Sequence, residues 1–405
     1  MIFVGNDWAA DHHDVCVMDE QGSVLASRRL PNDAGGITVL HQMLAGVCQD
    51  AGQVIVGIET DHGMWAAALI GAGYQVYAIN PLSVRRYRDR HHLAGTKSDK
   101  ADAKLLADLV RTDRHNHRPV ATDSAEVAAI TVMARAHQNL VWMRAGQQNV
   151  LRAQLCAYYP AAIEAFGEDL AHHDCLSVLL RAPTPERGAR MSLSALRATL
   201  TRGGRQRHLD ERARQIQQSL RAQGHLHTSP ASTAAYAATV TATVNLLISL
   251  NTQISDLQTQ LAQSFRTHPD AEIYLSLPGI GDITGARMLG EFGDDPERYA
   301  SAKCRKNYAG TSPRTIASGK SHAVLARHIR NNRLTDAALR MAQGALCASP
   351  GARAYYDHLK TGQRSHTQAL RALANRLIGI LHGCLKTRTR YDEHTAWGHR
   401  NTLPA

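Results

Sequence analysis

The chain has 405 residues, of which 44% are hydrophobic and 20% are charged, and its formal net charge is +11. This composition is ordinary for a folded soluble protein and leaves room for two or three domains. It argues against a disulfide framework or a zinc ribbon, because the seven cysteines are scattered and no two form a CxxC pair. The same cysteine pattern favours reduced thiols in a cytoplasm. We find neither a signal peptide nor a run approaching the roughly 18 apolar residues of a membrane span.

The first 80 residues alternate strand and helix signals. The apolar or alternating runs that predict strands are 1–6, 13–19, 23–30, 53–59 and 74–80. Helical spacing predicts helices over 34–49 and 64–73. Three antiparallel strands followed by helix, strand, helix and strand predict a mixed sheet flanked by helices.

From about residue 124 the pattern becomes helical. One uninterrupted stretch covers 125–155, and a second covers 241–265. The second places apolar residues at alternating three- and four-residue steps: Leu247, Leu250, Ile254, Leu257 and Leu261. This is the seam of a coiled coil, and either a helical hairpin within one chain or a pair of subunits would bury it.

The turn from Pro278 to Gly281 lies between helical segments in the last part of the chain. Its backbone N–H groups suit a phosphate, which makes Gly279 and Gly281 candidate nucleic-acid contacts. A plain helix–turn–helix corner explains the same residues equally well. A loop rich in glycine and serine is predicted over 308–322, followed by basic helices to about residue 390.

Positive charge is concentrated in two segments. Residues 181–230 carry a local charge of +7 and residues 301–405 one of +14, which leaves −10 for the rest of the chain. Surfaces of this basic density usually bind a polyanion, most often nucleic acid, although a solvated charged surface is the plainer alternative. The sequence therefore predicts an acidic part joined to two parts that face nucleic acid.

Four carboxylates stand out in the acidic part. Asp7 follows the first predicted strand, Glu59 ends another, and Asp99 and Asp102 are three residues apart on one side of a predicted helix. Such groups repel one another unless a cation neutralises them, and Mg²⁺ prefers oxygen ligands. Two such ions can polarise a phosphodiester and stabilise the attacking and departing oxygens. For Asp99 taken alone, the plainer interpretation is a helix cap.

The residues around these carboxylates resemble a known family. The order Asp7, Glu59, Asp99, Asp102 resembles the RNase H-like domain of RuvC-type Holliday-junction resolvases, and "KSDKADAKLLADL" resembles the signature of the DEDD transposases. Later stretches, "LSLPGIGDITGARMLGEFGD", "YAGTSPRTIASGK" and "RHIRNNRLTDAALR", resemble the second region of the same group. The chain is thereby similar, over roughly 1–120 and 270–390, to the insertion-sequence one-ten family, which includes Piv-type DNA invertases and bridge-RNA-guided recombinases.

The resemblance implies a fold of three parts. It implies an α/β RNase H-like (RuvC-like) metal-binding catalytic domain over 1–122 and a mainly α C-terminal transposase domain over 269–395. A helical, coiled-coil linker over 123–268 would mediate dimerisation and face RNA.

The resemblance also implies a transposase or site-specific recombinase that cuts and rejoins DNA through a Mg²⁺-assisted phosphoserine intermediate. The four carboxylates would hold two Mg²⁺ ions, and Ser318 would be the nucleophile. A structured bridge RNA would select donor and target DNA. The protein would act in the bacterial cytoplasm, at the nucleoid and away from any membrane, as a dimer or a dimer of dimers.

The candidate nucleic-acid contacts are basic residues or glycines near these motifs. They are Lys97, Lys100, Arg202, Arg205, Arg207, Gly279, Gly281, Gly319, Lys320, Arg327, Arg330 and Arg333. Gly319 has no side chain, so a DNA backbone is able to approach Ser318 closely.

Three other functions stay open at this point. In a RuvC-like Holliday-junction-type hydrolytic nuclease, the metal ions would activate water and Ser318 would be incidental. A noncatalytic nucleic-acid-binding protein would need no metal. A tyrosine recombinase would use a tyrosine of the basic half: Tyr299, Tyr308, Tyr355, Tyr356 or Tyr391.

Overall fold

A computed structural model describes residues 1–60, 63–91, 98–117, 119–120, 123–222, 228–319, 321–327 and 330–398. The chain divides into two compact units, Met1–Thr122 and Asp123–Ala405. The second unit contains both segments, 123–268 and 269–395, that the sequence assigns to separate domains.

The first unit contains a mixed five-stranded sheet. The strands are β1 (Ile2–Trp8), β2 (His12–Met18), β3 (Val24–Pro31), β4 (Val54–Ile58) and β5 (Gln75–Ala78), and the helices are α1 (Ala34–Ala45), α2 (Met64–Gly71), α3 (Pro81–His91) and α4 (Asp99–Asp113). The strand order is β3-β2-β1-β4-β5. The first three strands pair antiparallel, and β4 lies parallel to both β1 and β5. The predicted mixed sheet is thereby confirmed.

Helices cover both faces of this sheet, so its central strands are apolar on both sides. Val56 packs with Leu40 of α1 and Leu69 of α2 on one face. Its neighbour Ile55 points to the opposite face and packs with Leu106 of α4. The whole of β4 is accordingly buried.

Two glycines set how closely α4 approaches the sheet. A Cβ atom at Gly5 of β1 would lie 1.8 Å from the carbonyl oxygen of Ala103, and one at Gly57 of β4 would lie 2.7 Å from Cγ1 of Val110. No side chain fits at either position without displacing the helix. The part of α4 from Ala103 to Val110 is therefore held against the two central strands.

The second unit is mainly helical. Its elements are α5 (Ala125–Tyr158), α6 (Pro160–Phe166), α7 (His173–Arg181), α8 (Pro185–Ala189), α9 (Leu193–Arg202), α10 (Leu209–Leu220), α11 (Pro230–Arg266), α12 (Ala271–Ser276), α13 (Asp282–Phe292), α14 (Ala302–Tyr308), β6 (Arg314–Ser318), β7 (Ser321–Leu325), α15 (Asn332–Ala348), α16 (Pro350–Thr361), α17 (His366–Thr387) and α18 (Glu393–Trp397).

The two long helices α5 and α11 pack antiparallel and pass through two separate hydrophobic cores. Val127 at the start of α5 shares one core with Leu261 at the end of α11 and with helices α12–α18. Leu151 near the end of α5 shares the other core with Val244 of α11 and with helices α6, α7, α9 and α10. Because the same two helices form part of both cores, 123–268 and 269–395 form one unit.

The predicted coiled-coil seam is buried inside this chain. Leu247, Leu250, Ile254 and Leu261 are buried, and Leu257 is half-buried. The intrachain hairpin is therefore the alternative that the structure supports for this seam. A contact between subunits would need a different surface.

Helix α11 is long and apolar enough to cross a membrane by length and composition alone. Its 37 residues include an 18-residue window of mean hydropathy 1.4, of which 33% is buried. The prediction that no run approaches such a length is wrong by this criterion, because it counted unbroken apolar runs and α11 interleaves Leu and Val with Ala, Thr and Ser. A core helix of a soluble protein passes the same test, and α11 contributes Val240, Val244 and Leu247 to a core.

We predict that Gly5→Ala displaces α4 and destabilises the protein by about 1–3 kcal/mol, because the added methyl group overlaps the helix backbone. Thermal unfolding of the full chain would measure the loss. Gly71→Ala is the matched control, since no atom lies within 4 Å of the position its Cβ would occupy at the end of α2. Equal melting temperatures for Gly5→Ala and the parent would contradict the packing argument.

Candidate metal centre and serine hairpin

Asp7 and Glu59 lie side by side at the carboxyl ends of two parallel strands. Asp7 is inside β1, one residue before its end, rather than after the strand as predicted. The strand is longer because its pairing with β2 continues through Asp7↔Asp14 to Trp8. Glu59 follows β4 directly, and the register Asn6↔Ile58 makes it the next neighbour of Asp7. The carboxyl ends of neighbouring parallel strands are where α/β sheets bind ligands.

Asp99 and Asp102 lie in the first turn of α4. The N-cap of this helix is Ser98, whose hydroxyl accepts a hydrogen bond from the N–H of Ala101. The interpretation of Asp99 as the cap is therefore wrong, and both carboxylates are left for other partners. Asp99 is exposed and Asp102 is buried.

The four carboxylates interact electrostatically. The pKa of Asp7 is raised from 3.8 to about 6, first by burial and then by the negative charges of Glu59, Asp102 and Asp99. Asp7 therefore lies among negative charges with too little positive charge beside them, and a divalent cation would supply that positive charge. The all-oxygen donor set suits a hard cation. These four residues therefore fit a divalent metal ion.

Two arginines already contact part of this cluster. The NH2 of Arg88 donates to Oδ1 of Asp102 at 2.5 Å. The NH2 of Arg29 donates to Oδ2 of Asp14 at 2.7 Å and to Oδ2 of Asp99 at 3.2 Å. Sequence reasoning missed Arg29, Arg88 and Asp14. A charged residue inside a buried strand, as Asp14 is in "HHDVCVM", is the signal that would have indicated it.

Metal-ligand atoms converge most closely beside the predicted four. Among the residues that the structure describes, the one group with three such atoms within 4.8 Å of one another is His12, Asp14 and Asp99. It shares only Asp99 with the predicted set. Asp7, Glu59, Asp99 and Asp102 are neighbours but are not drawn together to that distance.

Ser318 lies at the tip of a hairpin rather than in the irregular loop predicted over 308–322. It ends β6 and pairs with Ser321 of β7. Gly319, the next residue, has φ = 54°, a left-handed conformation that favours glycine. Ser318 is exposed. The signal that would have predicted the hairpin is a Gly-containing two-residue turn between two runs of β-forming residues.

The glycines of the Pro-Gly-Ile-Gly turn have different surroundings. Gly279 has φ = 79°, and a Cβ there would lie 2.1 Å from the carbonyl oxygen of Met341 in α15. Gly281 is exposed just before α13, whose first residue, Asp282, is ion-paired with Arg266 at 2.8 Å. A carboxylate therefore already stands at this helix N-terminus. The packing of Gly279 favours the helix–turn–helix corner for that residue.

The three arginines predicted as nucleic-acid contacts near the serine hairpin in sequence already have hydrogen-bond partners within the chain. The NH2 of Arg327 donates to Oδ1 of Asn307 at 3.1 Å, and the Nε of Arg330 donates to Oδ1 of Asn332 at 3.3 Å. The NH2 of Arg333 donates to Oδ1 of Asn139 at 2.7 Å. These arginines are half-buried, so only part of each is available to a phosphate.

The three arginines predicted as nucleic-acid contacts in the middle of the chain differ in their surroundings. The guanidinium of Arg205 is 2.6 Å from Oδ2 of Asp174, a carboxylate with 2% of its side chain exposed. Its main role in the structure is to neutralise that buried charge. Arg202 and Arg207 are exposed. Lys100 is exposed in the first turn of α4, whereas Lys97 and Lys320 lie outside the described residues.

Two of the five candidate tyrosines in the basic half are buried or hydrogen-bonded within the fold. Tyr299 is 5% exposed, and burial raises its pKa. The hydroxyl of Tyr391 donates to Oε2 of Glu393 at 2.6 Å and accepts from Nε1 of Trp397 at 2.8 Å. Neither is placed as an accessible nucleophile.

Carboxylates gathered at the ends of parallel strands suit a metal ion, and the basic helical unit that follows suits nucleic acid. Residues 4–160 match a DEDD model of the IS110 group, described as a transposase. Residues 271–357 match the model described as the transposase IS116/IS110/IS902 family.

Relatives extend this similarity to nearly the whole chain. The chain is 42% identical over 400 residues to a mini-circle transposase candidate for IS117 from Streptomyces coelicolor, covering 98% of this chain and 96% of the relative. It is 29% identical over 405 residues to a 42 kDa protein of insertion element IS900 from Mycobacterium paratuberculosis, covering 97% and 98%. It is 26% identical over 409 residues to a 43.6 kDa protein of insertion element IS110 from Streptomyces coelicolor, covering 98% and 97%.

The chain belongs to the IS110 family of transposases. It is an enzyme that cuts and rejoins DNA, and its DEDD type indicates the use of a divalent metal ion.

We predict that Asp7→Asn stabilises the metal-free protein near pH 7, by about 1–2 kcal/mol once solvent screening is allowed for. The raised pKa of Asp7 means that its contribution to stability is present below about pH 4 and is lost as pH rises through about 6. The difference in melting temperature between variant and parent, measured in a chelator, should therefore grow from near zero at pH 4 to a plateau above pH 6.

Asp89→Asn is the matched control, because it removes an exposed carboxylate from the neighbouring helix α3. It should leave the pH profile of the melting temperature unchanged. An Asp7→Asn profile parallel to that of the parent would show that the carboxylates do not repel one another in solution.

Proposed function

We propose that this transposase is Mg²⁺-dependent and joins itself to DNA through a phosphoserine link at Ser318. The observation that supports the metal part is the raised pKa of Asp7 among three other carboxylates. The proposed ligands are Asp7, Glu59, Asp99 and Asp102, in a first unit that we infer to be RNase H-like and RuvC-like from its strand order. Bound Mg²⁺ would withdraw charge from a phosphodiester and stabilise the oxygens that gain charge.

The exposed position of Ser318 supports its role as nucleophile. In the proposed step its Oγ forms a bond to phosphorus while the bond from phosphorus to one neighbouring sugar oxygen breaks. The hydroxyl proton leaves to solvent, and the departing sugar oxygen takes up a proton. The phosphodiester energy is kept in the Ser–phosphate bond, so rejoining to a new sugar hydroxyl needs no ATP.

The nucleic-acid partners follow from charge and family. DNA is the substrate of a transposase, and the segments 181–230 and 301–405 carry local charges of +7 and +14. We propose that a structured bridge RNA guides the enzyme and that Arg202 and Arg207 are among its contacts. Base pairing would then read the sequence while the protein holds shape and backbone. By resemblance to its family, the active form would be a dimer or a dimer of dimers in the bacterial cytoplasm.

We predict that Ser318→Ala abolishes a denaturation-resistant protein–DNA adduct, because the alanine has no oxygen to bond to phosphorus. The measurement is gel electrophoresis in detergent after incubation of the full chain with its donor and target DNA and Mg²⁺. Ser321→Ala, which changes the residue paired with Ser318 across the turn, is the matched control and should keep the adduct.

The alternative outcome is equally specific. Full-rate cleavage by Ser318→Ala, with no adduct in the parent, would identify a hydrolytic RuvC-like nuclease instead. An adduct mapped to a tyrosine would identify a tyrosine recombinase.

We predict that one discrete RNA encoded by the same element copurifies with the chain, because a guide must be held throughout the reaction. Sequencing of bound RNA is the measurement, and RNA bound to an unrelated basic protein from the same cells is the control. RNA of random sequence, or recombination that survives ribonuclease treatment, would contradict guidance by RNA.

A further inference from the structure

Four charged side chains form a row across one face of the sheet in the first unit. Asp7 is directly opposite Asp14, and Asp14 is directly opposite Arg29. Glu59 extends the row beyond Asp7, as the next residue in the β1–β4 register. Directly opposite residues share a face. Three carboxylates are therefore followed, at the edge strand β3, by one guanidinium.

Arg29 is held by two carboxylates that come from different elements. Its Nε and NH2 donate to the two oxygens of Asp14 at 3.2 and 2.7 Å, which is a bidentate pair between neighbouring strands. The same NH2 donates to Oδ2 of Asp99, at 3.2 Å, in the first turn of α4. The guanidinium thus bridges a strand carboxylate and one of the proposed metal ligands.

This bridge accounts for the position of Asp99. Its carboxylate lies within 4.8 Å of ligand atoms of Asp14 and His12, whereas the four proposed ligands do not converge to that distance. Among the three carboxylates that raise the pKa of Asp7, Asp99 contributes least. Asp99 is therefore associated with Asp14 and Arg29 more closely than with the other proposed ligands.

We propose that Arg29 is a positioning residue that competes with a divalent cation for Asp99. In the metal-free protein the guanidinium holds Asp99 beside Asp14. Binding of a cation by Asp7, Glu59, Asp99 and Asp102 then requires that the contact between Arg29 and Asp99 break. This inference rests on the proposed metal centre and adds a residue that tunes its affinity.

The contact between Arg29 and Asp99 is suited to breaking. The side chains of Arg29 and Asp99 are 56% and 54% exposed, and an ion pair this exposed is weak because water screens it. Arg29 keeps its bidentate pair with Asp14 when Asp99 leaves, and the Asp14 side chain is only 10% exposed. Exchange of one partner therefore leaves no buried charge unpaired.

The test is calorimetric titration of the metal-free full chain with Mn²⁺, comparing Arg29→Gln with the parent. The expected result is that Arg29→Gln binds Mn²⁺ roughly tenfold more tightly, because a competing positive charge is removed from the cluster. Arg29→Lys keeps the charge and should bind as the parent does.

Arg28→Gln is the matched control for net charge. Arg28 is exposed and precedes Arg29 in the same strand. It pairs with Val15, so its side chain lies on the other face of the sheet. It should change the affinity for Mn²⁺ by less than twofold. An equal gain in Arg28→Gln and Arg29→Gln would overturn the proposal in favour of a general charge effect.

The remaining outcomes separate the two levels of inference. Unchanged or weaker Mn²⁺ binding by Arg29→Gln, with normal binding by the parent, would overturn the role of Arg29 and leave the metal centre standing. Absence of Mn²⁺ binding by the parent itself would overturn the metal centre and this inference with it.

Discussion

The first unit depends on the close contact between α4 and the two central strands at Gly5 and Gly57. This contact places the first turn of a helix, with two aspartates, beside two further carboxylates at the strand ends. The apolar packing of α4 under the sheet supplies the free energy that holds like charges together. Burial and then repulsion by Glu59, Asp102 and Asp99 raise the pKa of Asp7, while Arg29 pairs with Asp99 and Arg88 with Asp102. The metal-free fold is thus prepared for a cation at some cost to its own stability.

Local signals in the sequence were sufficient for the mixed sheet, because runs with a period of two residues predict strands. The expectation that Asp7 and Glu59 share a site came instead from the chemistry of carboxylates and from the family resemblance. Local signals did not predict the features that depend on pairing between strands. The end of β1 was missed because its last residues are ordered by β2, and the hairpin was missed because a composition rich in glycine and serine is also typical of loops. Arg29 and Asp99 are 70 residues apart, and nothing local indicates that they meet.

In the second unit, the heptad-like pattern of α11 is compatible with packing either within the chain or between subunits. Heptad-like spacing in α11 predicts an apolar seam but does not identify the helix that packs on it. An apolar face of α5 and an apolar face of a second subunit would bury the seam equally well. In the structure α5 packs along α11, and the same two helices link a core formed with α12–α18 to a core formed with α6, α7, α9 and α10. Several predicted nucleic-acid arginines turn out to hold buried or half-buried partners within this unit, as Arg205 does with Asp174. Basic charge in the sequence therefore overstates the charge that is free for a ligand.

The arrangement of the two long helices also separates two parts of the second unit. The helices from Pro160 to Leu220 lie between α5 and α11 in the chain and share a core with one end of both, while the serine hairpin follows α11 in the chain. The two cores have only α5 and α11 in common. A substitution in the core among the helices from Pro160 to Leu220 is therefore expected to leave the packing of the other core largely unchanged.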